Sequence, residues 1–217
     1  MTMKIAEIFS SIQGESTYAG FPCTFVRAAG CNLRCSYCDT PYAREGGAEM
    51  TVEQICRAVK TAGISPVELT GGEPLLQEEC YRLMDRLLRE GYRVLLETNG
   101  SISLDRLDER VVTIMDLKCP GSGMAEHMLF SNISLLHRKD EVKFVICDKF
   151  DFDWAVAIIR DYDLVERCSV LISPVPQRLR PAMVAEWMIQ QKLAVRLQLQ
   201  QHKMIWPERA AGSDRGY

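Results

Sequence analysis

Three cysteines stand close together in Cys31-Asn-Leu-Arg-Cys35-Ser-Tyr-Cys38, with the spacing C-x3-C-x2-C. One short loop can wrap such a run around three corners of an iron-sulfur cubane, leaving the fourth iron without a protein ligand. That vacancy is what a cluster needs to act on a small molecule, whereas an electron carrier normally has four cysteines. A tetrahedral zinc site is the competing reading. It asks for a fourth Cys or His, and His127, His137 and His202 are remote in the chain. Cys23, Cys56, Cys80, Cys119, Cys147 and Cys168 lie among apolar neighbours and read as small buried hydrophobes. Two other features carry chemistry. Gly71 and Gly72, in TGGEP, lack Cβ and let backbone come close to a ligand. Arg27 offers a planar fork to a carboxylate, with a strand arginine in an ion pair as the plainer reading.

The elements that must position these residues alternate between β-branched or apolar runs and helical periods, the pattern of a parallel sheet covered by helices. Strands are expected at residues 24–28, 67–70, 93–97, 112–117, 142–146, 169–173 and 195–200. A helix is expected after Thr51, which forms a capping-box pattern with Gln54, and it stops at Gly63. Others span about 78–90, 151–162 and 181–192, the last with Pro181 in its first turn. Polar and unusual residues collect just after strands, at CNLRCSYCDT, TGGEP, ETNG, DLK, SPV and QLQQHK. In parallel α/β folds the loops at the carboxyl ends of strands build the active site. The fold class expected is therefore α/β, an incomplete TIM-like (β/α) barrel with six main parallel strands, because 217 residues are few for the usual eight. Residues 1–217 read as one domain, with 206–217 a loose tail or late-folding lid.

The bulk properties exclude several classes. With 47% hydrophobic and 25% charged residues, and 14 Gly and 9 Pro dispersed, the chain is neither disordered nor fibrous. A net charge of -3 supplies no basic field for nucleic acid or an anionic membrane surface, which leaves a small molecule as the default partner. No window resembles a signal peptide or a membrane span, and the odd count of 9 cysteines argues against a disulfide framework. The expectation is a cytoplasmic protein.

The cysteine run, with Tyr37 before its last Cys, resembles the hallmark of the radical S-adenosylmethionine superfamily, and TGGEP resembles that superfamily's GGE motif. Upstream, SIQGESTYAGFPCTFVRAAGCNLRCSYCDT at residues 11–40 resembles the 7-carboxy-7-deazaguanine synthase family, whose order of ETNG, DLK, SPV and QLQQHKMIW the chain also follows. The resemblance implies a 4Fe-4S cluster on Cys31, Cys35 and Cys38 that chelates S-adenosylmethionine (SAM), and a 5'-deoxyadenosyl radical formed on reduction. It implies conversion of 6-carboxy-5,6,7,8-tetrahydropterin to 7-carboxy-7-deazaguanine with loss of ammonia, on the route to queuosine and other 7-deazapurines. An electron donor such as flavodoxin and a homodimer are implied as well.

Site residues follow by matching position. Ile12, Gln13 and Gly14 match the substrate loop, Arg27 the group that reaches the substrate carboxylate, and Thr70 a further substrate contact. Thr40 matches the hydroxyl that binds Mg²⁺, a hard cation content with one protein oxygen and waters. Tyr37, Cys38 and Asp39 match the cradle around adenine, and Gly72 a contact to SAM. Asp116, Leu117 and Lys118 match the segment meeting its carboxylate and ribose, and Ser173, Pro174, Val175 and Pro176 the segment closing over the nucleoside. Glu15, Gln198, His202 and Tyr217 are held open as pocket residues. Ser16 departs from the family pattern, standing where glycine is expected. A glycyl-radical activating enzyme, which shares the cysteine spacing, is the alternative enzyme, and a non-catalytic iron-sulfur or zinc module the alternative from another class.

Overall fold

The computed structural model describes residues 2–207. Its strands are β1 (Thr2–Ile12), β2 (Pro22–Ala28), β3 (Ala48–Thr51), β4 (Val67–Gly71), β5 (Val94–Thr98), β6 (Val112–Asp116), β7 (Glu141–Ile146), β8 (Ser169–Pro174) and β9 (Arg196–Leu197). The helices are α1 (Val52–Ala62), α2 (Glu79–Arg89), α3 (Lys149–Asp161), α4 (Leu164–Arg167), α5 (Pro181–Gln190) and α6 (Gln201–Ile205). All strands join one sheet in the order β3-β1-β2-β4-β5-β6-β7-β8-β9. From β2 onward every pairing is parallel, giving six full strands and the two-residue β9; β1 and β3 are added antiparallel at one edge. The sheet does not close on itself, as expected of an incomplete barrel.

Local chemistry explains the helix boundaries. Thr51 accepts the Gln54 N–H while the Gln54 side chain accepts the Thr51 N–H, and Gly63 ends α1 at φ 66°. Asp148 caps α3 by accepting from the Asp151 N–H, which starts the helix two residues earlier than the sequence pattern suggests. Each strand shows one face to the helices and one to the barrel interior. On β7, Val142, Phe144 and Ile146 are buried in the main core, whereas Glu141 and Lys143 point the other way. The interior holds a small apolar floor of Leu95, Val112 and Ile114, packed by Tyr18 from the segment after β1.

The strand expected at 195–200 is cut to Arg196–Leu197. After Gln198 donates its N–H to the Ile172 carbonyl, the chain leaves the sheet and lays α6 across the barrel mouth, so the remaining Gln-rich residues serve tertiary contacts.

Candidate functional site

A cavity of about 250 Å³ opens at the carboxyl ends of the parallel strands, and a smaller one of about 60 Å³ adjoins it, sharing Glu15, Thr70 and Glu97. Cys31, Cys35 and Cys38 line the larger cavity together with Tyr37, Asp39, Thr40, Arg27, Thr70, Gly72, Asp116, Lys118 and Ser173 through Pro176. Ile12, Gln13 and Gly14 line the smaller one with Glu68 and His202. Of the residues matched to cluster, cofactor or substrate in the sequence, Leu117 lines neither, and Gln198, held open there as a pocket residue, lines neither as well. Leu117 has its side chain in the main core, and its N–H donates to the Lys143 carbonyl.

The cysteine loop is braced from several sides. The Gly30 N–H donates to the Ala43 carbonyl, the Glu73 N–H to Gly30, and the Ser36 N–H to Ser122. Arg34 donates to the Cys31 and Leu33 carbonyls at 2.8 and 2.9 Å, and Arg178 donates to the Ser36 carbonyl at 3.2 Å. The Leu33 N–H points at the Cys31 sulfur, 3.4 Å away. Among the described residues no three His, Cys, Asp or Glu side chains converge on one ion position. Three cysteines can each grip a different iron of a cubane, whereas a structural zinc ion asks for four ligands. The glycine pair serves this bracing. A Cβ on Gly72 would lie 2.0 Å from the Gly30 carbonyl oxygen, and one on Gly71, at φ 134°, 2.1 Å from that of Ala28. Glycine here lets the end of β4 lie against the backbone that enters the cysteine loop.

A charged network fills the wall opposite. Lys143 is 3% exposed and pairs with Glu15 at 2.9 Å, with Glu97, and with Asp116 at 3.6 Å. Burial works against its charge, but these three carboxylates hold its proton on well above the usual lysine range. Lys118 is tied to Asp116 at 2.7 Å, so it meets any ligand carboxylate as half of an ion pair and not as a free ammonium. The other Asp116 oxygen, Oδ1, is buried and without a hydrogen-bond partner. An orphaned acceptor in the cavity wall invites a ligand donor such as a sugar hydroxyl. The chemistry of three half-buried thiols, an orphaned carboxylate oxygen and paired lysines thus fits a cluster with an attached nucleoside amino acid.

Arg27 donates through Nε to Glu7 at 2.7 Å and lies over the Phe9 ring, so the ion-pair reading holds, and the residue also lines the cavity. Thr70 donates to Glu97 at 2.8 Å, and Thr40 opens a 3-10 turn whose Ala43 N–H bonds its carbonyl. Tyr37 reaches the Val145 carbonyl at 3.3 Å. The Gln13 amide is committed to Glu68 and to the N–H groups of Glu15 and Ser16. Ser16 does not have a positive φ, and its hydroxyl accepts the Tyr18 N–H at 2.9 Å, so this position does not need glycine. Gly14 has its own reason: an added Cβ would sit 2.2 Å from His202 Nδ1. Burial holds His202 below the ordinary histidine value, favouring the neutral imidazole. Gln198 donates to the Gly14 carbonyl at 3.2 Å, Gln200 to Glu15 at 2.8 Å and Lys203 to Asp39 at 2.8 Å. Tyr217 lies outside the described residues.

Sequence reasoning missed Glu68, Glu97, Glu141 and Lys143. For Glu68, Glu97 and Lys143 the available signal was a charge within an otherwise apolar parallel strand, where both faces are buried and a charge needs a specific partner, whereas Glu141 stands just before the strand expected at 142–146 and carries no such signal. Among the described residues no helix is long and apolar enough to cross a membrane.

Comparison with known proteins bears on this site. The family model described as Radical SAM superfamily matches residues 25–162. A 7-carboxy-7-deazaguanine synthase of Chlorobaculum tepidum is 45% identical over 97% of both chains. One from Koribacter versatilis is 42% identical over 97% of this chain and 100% of its own. The crystal structure of QueE from Escherichia coli shares the fold, with a TM-score of 0.77 and 20% identity over 92% of this chain and 94% of that one.

Proposed function

Because the chain belongs to the radical S-adenosylmethionine superfamily and, within it, to the 7-carboxy-7-deazaguanine synthases, we propose residue roles for the reaction that family name denotes. The protein is a radical SAM enzyme of 7-deazapurine biosynthesis, and the family implies a 4Fe-4S cluster and SAM as its cofactors. The activating-enzyme alternative is not favoured by relatives that are themselves synthases.

Cys31, Cys35 and Cys38 hold the cluster. Tyr37, Asp39, Gly72, Lys118 and Ser173 through Pro176 enclose SAM, and Asp116 accepts from its ribose through the free Oδ1. Bound together, cluster and SAM supply a hydrogen-abstracting radical; the chain's residues orient reactants and exclude water. Arg27, already neutralising Glu7, adds its fork to the carboxylate of 6-carboxy-5,6,7,8-tetrahydropterin. Ile12 and Gly14 read the amino-pyrimidinone edge through main-chain groups, Gln13 fixes the loop that carries them, and Thr70 and Glu97 complete the wall. Thr40 would hold a Mg²⁺ through its hydroxyl, where the cation would balance negative charge on the substrate. Residues 1–217 act as one domain, working as a cytoplasmic homodimer reduced by a flavodoxin-like donor.

The observation that carries this reading is the meeting of three thiols, Arg27 and the Lys143 network around one cavity. Anaerobic incubation of reconstituted protein with SAM, the pterin acid and a reductant is expected to yield 7-carboxy-7-deazaguanine. Cleavage of SAM without that product would return the alternative enzyme.

A further inference from the structure

Three ionisable residues deep in the barrel have no assigned contact with substrate or cofactor, yet burying such groups is costly unless they are paired and hydrogen-bonded. Glu68 is 1% exposed, Lys143 3% and Glu141 0%. Each faces the segment between β1 and β2. Gln13 donates through Nε2 to Glu68 at 2.7 Å, Glu15 accepts from Lys143 at 2.9 Å, and Thr17 donates its N–H to both Glu141 oxygens at 3.1 Å and its hydroxyl to Oε1. The contacts fall on Gln13, Glu15 and Thr17 of a bent, turn-bonded stretch, so it is gripped at three points along its length. Glu68 belongs to β4 and the other two to β7, with β5 and β6 between them, so the segment spans the curved sheet. Tyr18 continues it onto the floor of Leu95, Val112 and Ile114.

We propose that Glu68, Lys143 and Glu141 are positioning residues that seat segment 13–17 as a plug inside the open barrel, and that this seating sets the shape of the substrate cavity. The second half rests on the functional reading given above. Glu15, Thr70 and Glu97 line both cavities, so a displaced plug would merge or collapse the space allotted to the pterin acid while leaving the cysteine loop untouched. Two of the three seats have other duties: Lys143 also binds Glu97 and Asp116, and Glu68 lines the smaller cavity. Glu141 lines neither, and its contact with Thr17 isolates the seating function.

The test uses Glu141→Gln, Thr17→Val and the double variant, made as full chains. Hydrogen exchange of the amides at 13–17, measured with no ligand added, is expected to speed up at least tenfold, with the exchange of β4 through β8 unchanged. The dissociation constant of the pterin acid is expected to rise about tenfold, which corresponds to about 1.4 kcal/mol, while iron content and SAM affinity stay at wild-type values. The double variant is expected to exceed either single variant, because Glu141→Gln removes one acceptor oxygen and Thr17→Val the hydroxyl, each leaving part of the shared contact in place. Unchanged exchange at 13–17 overturns the seating. Faster exchange with unchanged pterin affinity overturns its effect on the cavity. Parallel loss of iron and SAM binding overturns the positioning role in favour of a general structural one. Failure of the wild-type protein to bind the pterin acid counts against the functional reading, whereas the ligand-free exchange decides the seating alone.

Discussion

Replacing Glu68 by glutamine should change how stability depends on pH. Burial, with Glu97 nearby, pushes the Glu68 carboxyl up from 4.5 to about 8. Between those values the folded protein holds a proton that the unfolded chain releases, so stability falls as pH rises, by about 1.4 kcal/mol per pH unit. Carried to pH 7, the loss is about 3 kcal/mol relative to acid conditions. Glutamine keeps an oxygen to accept from Gln13 but has no proton to release, so the variant lacks this slope. Other shifted groups, such as Glu15 and His202, are present in both proteins and cancel to first order in the difference. Melting midpoints of the anaerobic proteins at pH 5, 6, 7 and 8 are the assay. With about 2 to 4 °C per kcal/mol for a chain of this size, the variant should gain on the wild type at every step, reaching about 6 to 12 °C at pH 7. A midpoint difference that is the same at all four pH values would refute the reasoning, and one that shrinks with pH would reverse its sign.

Three further outcomes follow from the same geometry. Cys35→Ala should leave protein that folds but retains little iron after anaerobic reconstitution, read from the iron assay and the cluster's electron spin resonance. Lys143→Met strands the carboxylates of Glu15, Glu97 and Asp116 without their shared cation, which should cost about 3 to 5 kcal/mol. Lowering the pH should recover part of that loss, because protonation relieves the repulsion. Gly72→Ala places a Cβ against the Gly30 carbonyl and Cys31, so it should destabilise by about 1 to 3 kcal/mol and reduce iron per chain, both measured on the same preparation.

The parallel core was legible because its strands are runs of β-branched and apolar residues separated by capped helices. β1 was not, since its register shifts between Ile5 and Glu7 and the bulge breaks the two-residue alternation that marks a strand. β3 has only the four residues Ala48–Thr51, too few to show a period. The cysteine loop was legible from spacing alone, because its chemistry is local. The Lys143 network was hidden because its members come from four different segments, and strand pairing that sets Asp116 beside Lys143, with Glu97 one strand further on, cannot be read from sequence separation. For the same reason the sequence could not show that the imidazole of His202, far along the chain, leaves no room for a side chain at Gly14.

The plug also dictates an order of events during synthesis. Its fasteners arrive late: the bond from Thr17 to Glu141 joins residues 124 apart, and that from Gln200 to Glu15 residues 185 apart. Loops this long close slowly relative to neighbouring helices and strands. At about 5 to 20 residues per second, Glu15 waits on the order of ten seconds after its own synthesis for Gln200 to follow it. Until then the nascent barrel is a bowl with its charged lining open to water, and the plug, though made before the strands around it, is the part finished last.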